Sequence, residues 1–222
     1  MTLDLFSESE LPRRRPESIA ESAWLLPGFV GEDEISTLLA TLRPLLRAAP
    51  LRRLQVPGGH WMSVRTSSCG TYGWVSDSEG YGYSECDPLR GRPWPPIPPL
   101  LLELAQKGAA QAGFVGFEPD SCLINAYRPG ARMGLHQDRD EDDFSQPIVS
   151  LSLGLPAWFL WGGLRRRDPV RRIGLMHGDL LVWGGASRRV YHGIAPLKGG
   201  QHPRLGALRL NLTFRRARRG KP

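Results

Sequence analysis

The stretch Leu208-Arg209-Leu210-Asn211-Leu212-Thr213-Phe214-Arg215 alternates strictly between apolar and polar side chains. Period-two alternation marks a β-strand, because successive side chains leave opposite faces of the pleated backbone. One face therefore carries Leu208, Leu210, Leu212 and Phe214, and the other Arg209, Asn211, Thr213 and Arg215. The second face has two guanidinium groups and no acid, which suits a dicarboxylate held between them. A basic edge strand touching phosphate or solvent shows the same pattern, so both readings stay open at this point.

Six further strands precede this one, and the full set is predicted at 122–127, 148–153, 158–161, 172–176, 179–183, 190–193 and 204–214. Gly or Pro turns such as Arg128-Pro129-Gly130, His177-Gly178 and Gly184-Gly185 separate them. Seven short strands in about 90 residues predict a sandwich or jelly roll whose two sheets form a mouth for a ligand. Upstream, 23–26 reads as a short apolar strand. Asp33 is placed to cap a helix carrying Ile35, Leu38, Leu39, Leu42 and Leu46 on one side, with Pro44 bending or ending it. The stretch 54–83 is rich in Gly, Ser, Thr and aromatics, and a proline-rich loop at 87–99 leads into a second helix at 100–112. The fold class is thus α+β, mainly β. Its parts are an arm at 1–22, an N-terminal extension at 23–118, a core at 119–216 and a basic tail at 217–222.

Composition agrees with one folded domain. The chain has 222 residues, 41% apolar and 23% charged, which excludes a disordered tail, a collagen-like repeat and a disulfide scaffold. With 26 glycines and 20 prolines it is also unlike a helical bundle. Charge is segregated: residues 1–160 hold 14 basic and 20 acidic side chains, whereas 161–222 hold 15 basic and 2 acidic, a net +13 in the last quarter. Such a face suits a polyanion, nucleic acid first and an anionic membrane second. Cys69, Cys86 and Cys122 match neither a zinc motif nor a disulfide framework and fit a reducing compartment. No signal-peptide layout opens the chain, and the uncharged run 147–164 is broken by Ser, Gly and Pro. A cytoplasmic monomer with no membrane partner is expected.

The chemistry-bearing pattern is His136-Gln137-Asp138. On a strand, positions i and i+2 share a face, so one metal can receive both side chains, with His192 as the best third ligand. Two histidines and one carboxylate make the facial triad of non-haem iron(II) oxygenases, although many His-x-Asp pairs are plain surface loops. Asn125 and Tyr127 share a face and can hydrogen-bond the same ligand or each other. The run Asp138 to Asp143 mimics the start of a calcium loop, but Asp143 and Val149 stand where Gly and Glu are required. His177 and His202 read as structural.

Taken together, Cys122-Leu-Ile-Asn125-Ala-Tyr127, Leu135-His136-Gln-Asp138-Arg-Asp140, His177-Gly-Asp-Leu-Leu-Val-Trp183, Tyr191-His192-Gly-Ile-Ala-Pro and Arg209-Leu-Asn211-Leu-Thr-Phe-Arg215 resemble AlkB-type iron(II) and 2-oxoglutarate-dependent dioxygenases, a nucleic-acid dealkylation family. The resemblance covers most of the chain. It implies a double-stranded β-helix core with Fe(II) held by His136, Asp138 and His192. It also implies a 2-oxoglutarate clamp, with Arg209, Tyr127 and Asn211 at the distal carboxylate and Asn125 and Arg215 at the other end, and O2 as second cosubstrate. It further implies oxidation of N-alkylated bases such as 1-methyladenine and 3-methylcytosine, with release of formaldehyde, succinate and CO2.

Such chemistry needs the base out of the stack. By the same resemblance Trp74 stacks on it opposite His136, Tyr81 touches a flanking phosphate, and Asp140 and Arg166 read its edge, all under a mobile lid at about 54–83. Arg165, Arg167, Arg171 and Arg172 add phosphate contacts. Thr66 stands where relatives often place a lid methionine, and Trp158 and Trp161 stand where they carry other apolar residues. Alkylated single-stranded DNA is the expected partner, with RNA left open. The competing readings are a dioxygenase of the same class acting on a protein or small molecule, and a jelly roll that binds nucleic acid without catalysis.

Overall fold

The alternation in the sequence becomes two opposite faces of one large antiparallel sheet. The computed structural model describes residues 15–219. In chain order, β1 (Glu17–Ala20) and β2 (Ala23–Leu26) precede helix α1 (Glu32–Ala48), followed by β3 (Arg65–Gly70), β4 (Gly73–Ser76) and β5 (Tyr81–Ser84). Two-residue strands β6 (Cys86–Asp87) and β7 (Arg92–Pro93) lead to helix α2 (Pro99–Gln111). The remainder is β8 (Ser121–Tyr127), β9 (Met133–His136), β10 (Ile148–Gly154), β11 (Ala157–Trp161), β12 (Arg171–Leu175), β13 (Leu180–Trp183), β14 (His192–Ile194) and β15 (Arg209–Arg215). The large sheet runs β1-β2-β13-β10-β15-β8-β3, a smaller one runs β12-β11-β14-β9, and β4–β5 form a separate hairpin.

Strand β15 lies between β10 and β8, and all seven of its residues are buried. Its leucines and Phe214 join Ile35, Leu38, Leu42, Leu101 and Ala105 in a core between the large sheet and the helices. Burying such a leucine contributes about 1.5–3 kcal/mol, which is why the helices settle on this face. A second core holds Leu181 and Trp183 from the large sheet against Phe159, Trp161 and Leu175 from the small one. The polar face of β15 opens into the remaining space between the two sheets.

Several sequence expectations shift. Helix α1 starts before Asp33: Gly31 is its N-cap, and the Gly31 N–H donates to the Glu34 carboxylate at 3.2 Å. Pro44 does not end the helix, because Leu42 and Leu45 on either side of it are both buried and hold the last turn in place. Strand β1 lies within the stretch read as an arm, where Glu17 and Ser18 pair with Leu25 and Trp24; residues 1–14 of that arm lie outside the described residues. Strand β3, from the stretch read as a lid, is instead an edge of the large sheet paired along β8. Thr66 is accordingly buried opposite Asn125, and Met62 and Met133 are the methionines that line the cavity between the sheets. Trp161 packs inward against Phe159 and Trp183, whereas Trp158 points outward. In the basic tail, the Ala217 and Arg218 N–H groups donate to Asp120; residues 220–222 are outside the described set. No described helix is long and apolar enough to cross a membrane.

His177 ties β10 to the loop before β13. The Gly154 N–H donates to its Nδ1 at 2.8 Å, so the neutral ring carries its proton on Nε2, facing Glu32 and His202 with Arg204 nearby. Burial, then the neighbouring His202, pulls the pKa down to about 4 from 6.5. The unfolded chain therefore takes up a proton that the folded state refuses. Stability is full above about pH 6.5 and falls as pH drops toward 4. His177→Asn is expected to reduce the difference in denaturant midpoint between pH 7 and pH 4.5; an unchanged difference would contradict this role.

Candidate metal and cosubstrate centre

Strand pairing brings the two histidines together. His136, the last residue of β9, lies directly opposite His192 in β14, with ring centroids 4.5 Å apart. Each Nδ1 faces a backbone carbonyl two residues back, Gly134 at 2.9 Å and Val190 at 3.0 Å. A carbonyl only accepts, so each Nδ1 donates and each Nε2 keeps its lone pair for a metal. Asp138 lies two residues beyond the end of β9 and not on the strand, correcting the shared-strand reading, yet its carboxylate still reaches both rings. Oδ1 is 3.6 Å from His136 Nε2, and Oδ2 is 3.9 Å from His192 Nε2. Among the described residues, these three form the group of His, Cys, Asp or Glu side chains able to hold a metal ion.

Electrostatics keep the donors in their ligating forms. Burial, then nearby His136, pulls the His192 pKa down to about 4, so the ring is neutral near pH 7. For Asp138, burial acts to raise the pKa, but the Arg215 guanidinium and the two histidines outweigh it and hold the carboxyl well below the usual range. Arg215 donates from Nε and Nη2 to Asp138 Oδ2 at 2.9 and 2.7 Å. Phe159 and Trp183 pack on His192 with centroids at 5.7 and 5.1 Å, fixing the ring plane.

The polar face of β15 meets the same cavity, which has a volume of about 600 Å³. Arg209 is fully buried opposite Tyr127, its guanidinium carbon 5.1 Å from the centre of that ring. Only one bond from its guanidinium is found, Nη2 to Ser152 Oγ at 3.1 Å; Nε and Nη1 are buried with no partner among the described residues. An unpaired buried cation is costly, so this arrangement is that of a site awaiting an anion. Burial lowers the Arg209 pKa but leaves arginine a cation at any ordinary pH. Burial raises the Tyr127 pKa, which keeps its hydroxyl a proton donor. Asn125 Oδ1 is likewise buried without a partner. Asn211 differs: its Nδ2 donates to Ser150 Oγ and the Leu151 carbonyl, and its Oδ1 accepts from Thr213. It frames the cavity wall with its amide already engaged. Two nitrogen ligands, one carboxylate, three free coordination positions and an orphaned arginine fit iron(II) with a chelating dicarboxylate.

At the mouth, Trp74 and Tyr81 of the β4–β5 hairpin stack at 5.6 Å with a 19° interplanar angle, and Tyr81 is 52% exposed. Trp74 Nε1 donates to Asp140 Oδ2 at 3.0 Å, so two residues read separately from sequence are one bonded pair. Arg166 donates to the Leu135 carbonyl and lies 5.8 Å from the Tyr191 ring. Sequence reasoning missed Tyr83, Glu141 and Arg188. Tyr83 donates to Glu141 at 2.7 Å, and Glu141 pairs with Arg188 at 3.1 Å. Their only sequence signal is an aromatic two residues from Tyr81 and an acid beside Asp140.

The chain belongs to the 2OG-Fe(II) oxygenase superfamily, whose family model matches residues 22–215, and it is an Fe(II)- and 2-oxoglutarate-dependent dioxygenase. Within that class its relatives are AlkB proteins. It is 49% identical over 215 residues to the alpha-ketoglutarate-dependent dioxygenase AlkB of Salmonella typhimurium and 47% identical to that of Escherichia coli, covering 97% of this chain and 98% of each relative. The solved structure of OsALKBH1 superposes with a TM-score of 0.79 at 26% identity, covering 91% of this chain and 100% of that one.

Proposed function

We propose that this dioxygenase repairs nucleic acid by oxidative removal of N-linked alkyl groups from bases, with single-stranded DNA carrying 1-methyladenine or 3-methylcytosine as preferred substrate. The observation that carries the reading is the convergence of three features on one cavity: the His136, Asp138 and His192 cluster, the orphaned Arg209, and the Trp74 hairpin. His136, Asp138 and His192 hold iron, Arg209 and Tyr127 take the distal carboxylate of 2-oxoglutarate, and Asn125 and Arg215 face its other end. Iron, 2-oxoglutarate and dioxygen, when bound, would supply the oxidation: one oxygen atom would go to the N-methyl carbon and the other into succinate with loss of CO2, and cleavage of the carbon–nitrogen bond of the hydroxymethyl group would release formaldehyde and the restored base. Trp74 stacks on the extruded base, and Asp140 offers negative charge to a ring made cationic by alkylation. Tyr81 and the exposed arginines at 165–172 contact flanking phosphates. The protein acts as a cytoplasmic monomer.

Two tests bear on the substrate. Succinate release should rise on adding a methylated single-stranded oligonucleotide and stay at its basal rate with a methylated peptide; stimulation by the peptide alone would favour a protein substrate. For Trp74→Ala, lost stacking of about 1–3 kcal/mol should weaken binding of the methylated oligonucleotide about 5- to 150-fold in fluorescence anisotropy. Equal affinity would make Trp74 a partner of Tyr81 and Asp140 only.

A further inference from the structure

Asp140 and Glu141 are adjacent in the chain, and each bonds a different residue of one cross-strand pair. Trp74 and Tyr83 lie opposite each other in the β4–β5 register. Trp74 donates to Asp140, while the Tyr83 hydroxyl donates to Glu141 Oε1. The Glu141 carboxylate is 2% exposed. Its Oε2 accepts from Arg188 Nη2 at 3.1 Å, and its Oε1 lies 3.4 Å from Arg215 Nε. Arg215 continues the chain onto Asp138 Oδ2. Two buried acids and two buried guanidinium groups thus close a neutral cluster, the condition under which charges survive in a protein interior.

The direction of the Arg215 contacts matters. Both of its bonds to Asp138 end on Oδ2, which leaves Oδ1 as the oxygen turned toward His136 Nε2. A guanidinium answering one carboxylate can swing about it; one placed between two carboxylates is held in a single plane. We propose that Glu141 is a positioning residue for the metal ligand Asp138: it fixes Arg215 on one carboxylate oxygen and, through Tyr83, makes the seating of the Trp74 hairpin part of that arrangement. The inference rests on the reading of the cavity as an iron and 2-oxoglutarate site. It assigns Glu141 and Tyr83 work at the iron end of the cavity, whereas Trp74 and Asp140 serve the base end.

The test uses the full chain without nucleic acid. Fe(II) is titrated anaerobically in the presence of excess 2-oxoglutarate, following the visible charge-transfer absorption of the iron-chelated 2-oxo acid. In Glu141→Gln, which keeps the shape and removes the charge, apparent Fe(II) affinity should fall about 10- to 100-fold, and the absorption maximum should move. Circular dichroism at the titration temperature checks that this variant is folded. Tyr83→Phe deletes only a hydroxyl, retains the ring and should show a smaller loss in the same direction. Glu141→Gln with affinity within twofold of wild type and an unmoved maximum would overturn the proposal while leaving the iron reading intact. An unaltered Tyr83→Phe would overturn its hairpin half. A wild-type chain that develops no such absorption would overturn the iron reading, and the proposal with it.

Discussion

His136→Ala is expected to abolish turnover while leaving the fold intact. In the proposed site the imidazole is one of the two nitrogen donors, and its loss should lower metal affinity by more than the about 10- to 100-fold typical of losing an outer-shell partner. Its side chain is 41% exposed, and its hydrogen bond within the chain is to the Gly134 carbonyl. The metal-free variant should therefore unfold within about 0.5 kcal/mol of wild type. Asp138→Ala should also lose turnover, but for two reasons at once, because removing the carboxylate strips buried Arg215 of its closest partner. Breaking a buried pair in this way costs about 3–5 kcal/mol. Full activity in either variant, measured as succinate release, would remove the iron assignment, and His136→Ala is the cleaner of the two.

Arg209→Met should separate binding from stability in the opposite sense. Truncating one member of a buried charge pair costs about 2–5 kcal/mol, so apparent 2-oxoglutarate affinity should drop about 30- to 5,000-fold. In the absence of 2-oxoglutarate, however, Arg209 is a buried cation with two nitrogens that have no partner among the described residues. An apolar side chain of similar volume should leave the free protein as stable as wild type or more so. Thermal denaturation reads both effects together: wild type should gain in midpoint when 2-oxoglutarate and Mn(II) are added, and Arg209→Met should start as high and gain little. An equal gain in both proteins would place the dicarboxylate elsewhere.

The candidate metal and clamp residues stand out in the sequence because each announces itself locally. Strict alternation in β15 separates Leu210, Leu212 and Phe214 from Arg209, Asn211, Thr213 and Arg215 without any tertiary knowledge, and the structure keeps that division. The short spacing of His136 and Asp138 likewise survives, although the strand ends between them. Pairing between distant segments was not legible. Strand β3 is Arg65-Thr66-Ser67-Ser68-Cys69-Gly70, with almost no apolar alternation, because its backbone pairs with β8 and its small side chains fill a crowded edge. Nothing local to Thr66 indicates that its partner is Asn125, so the sequence alone places it in a lid. Glu141 was hidden for a related reason. Its two arginine partners lie 47 and 74 positions further along the chain, and an acid among acids reads as solvated surface until a fold encloses it.

Oxidative dealkylation of a base in this cavity can be read from one mass measurement. A single-stranded oligonucleotide carrying one 1-methyladenine is incubated with the protein, Fe(II), 2-oxoglutarate and oxygen, and its intact mass is recorded. A loss of about 14 Da, the mass of one methylene, is expected; it requires 2-oxoglutarate and disappears in His136→Ala. An unchanged oligonucleotide mass alongside active wild-type succinate production would contradict it and move the substrate elsewhere.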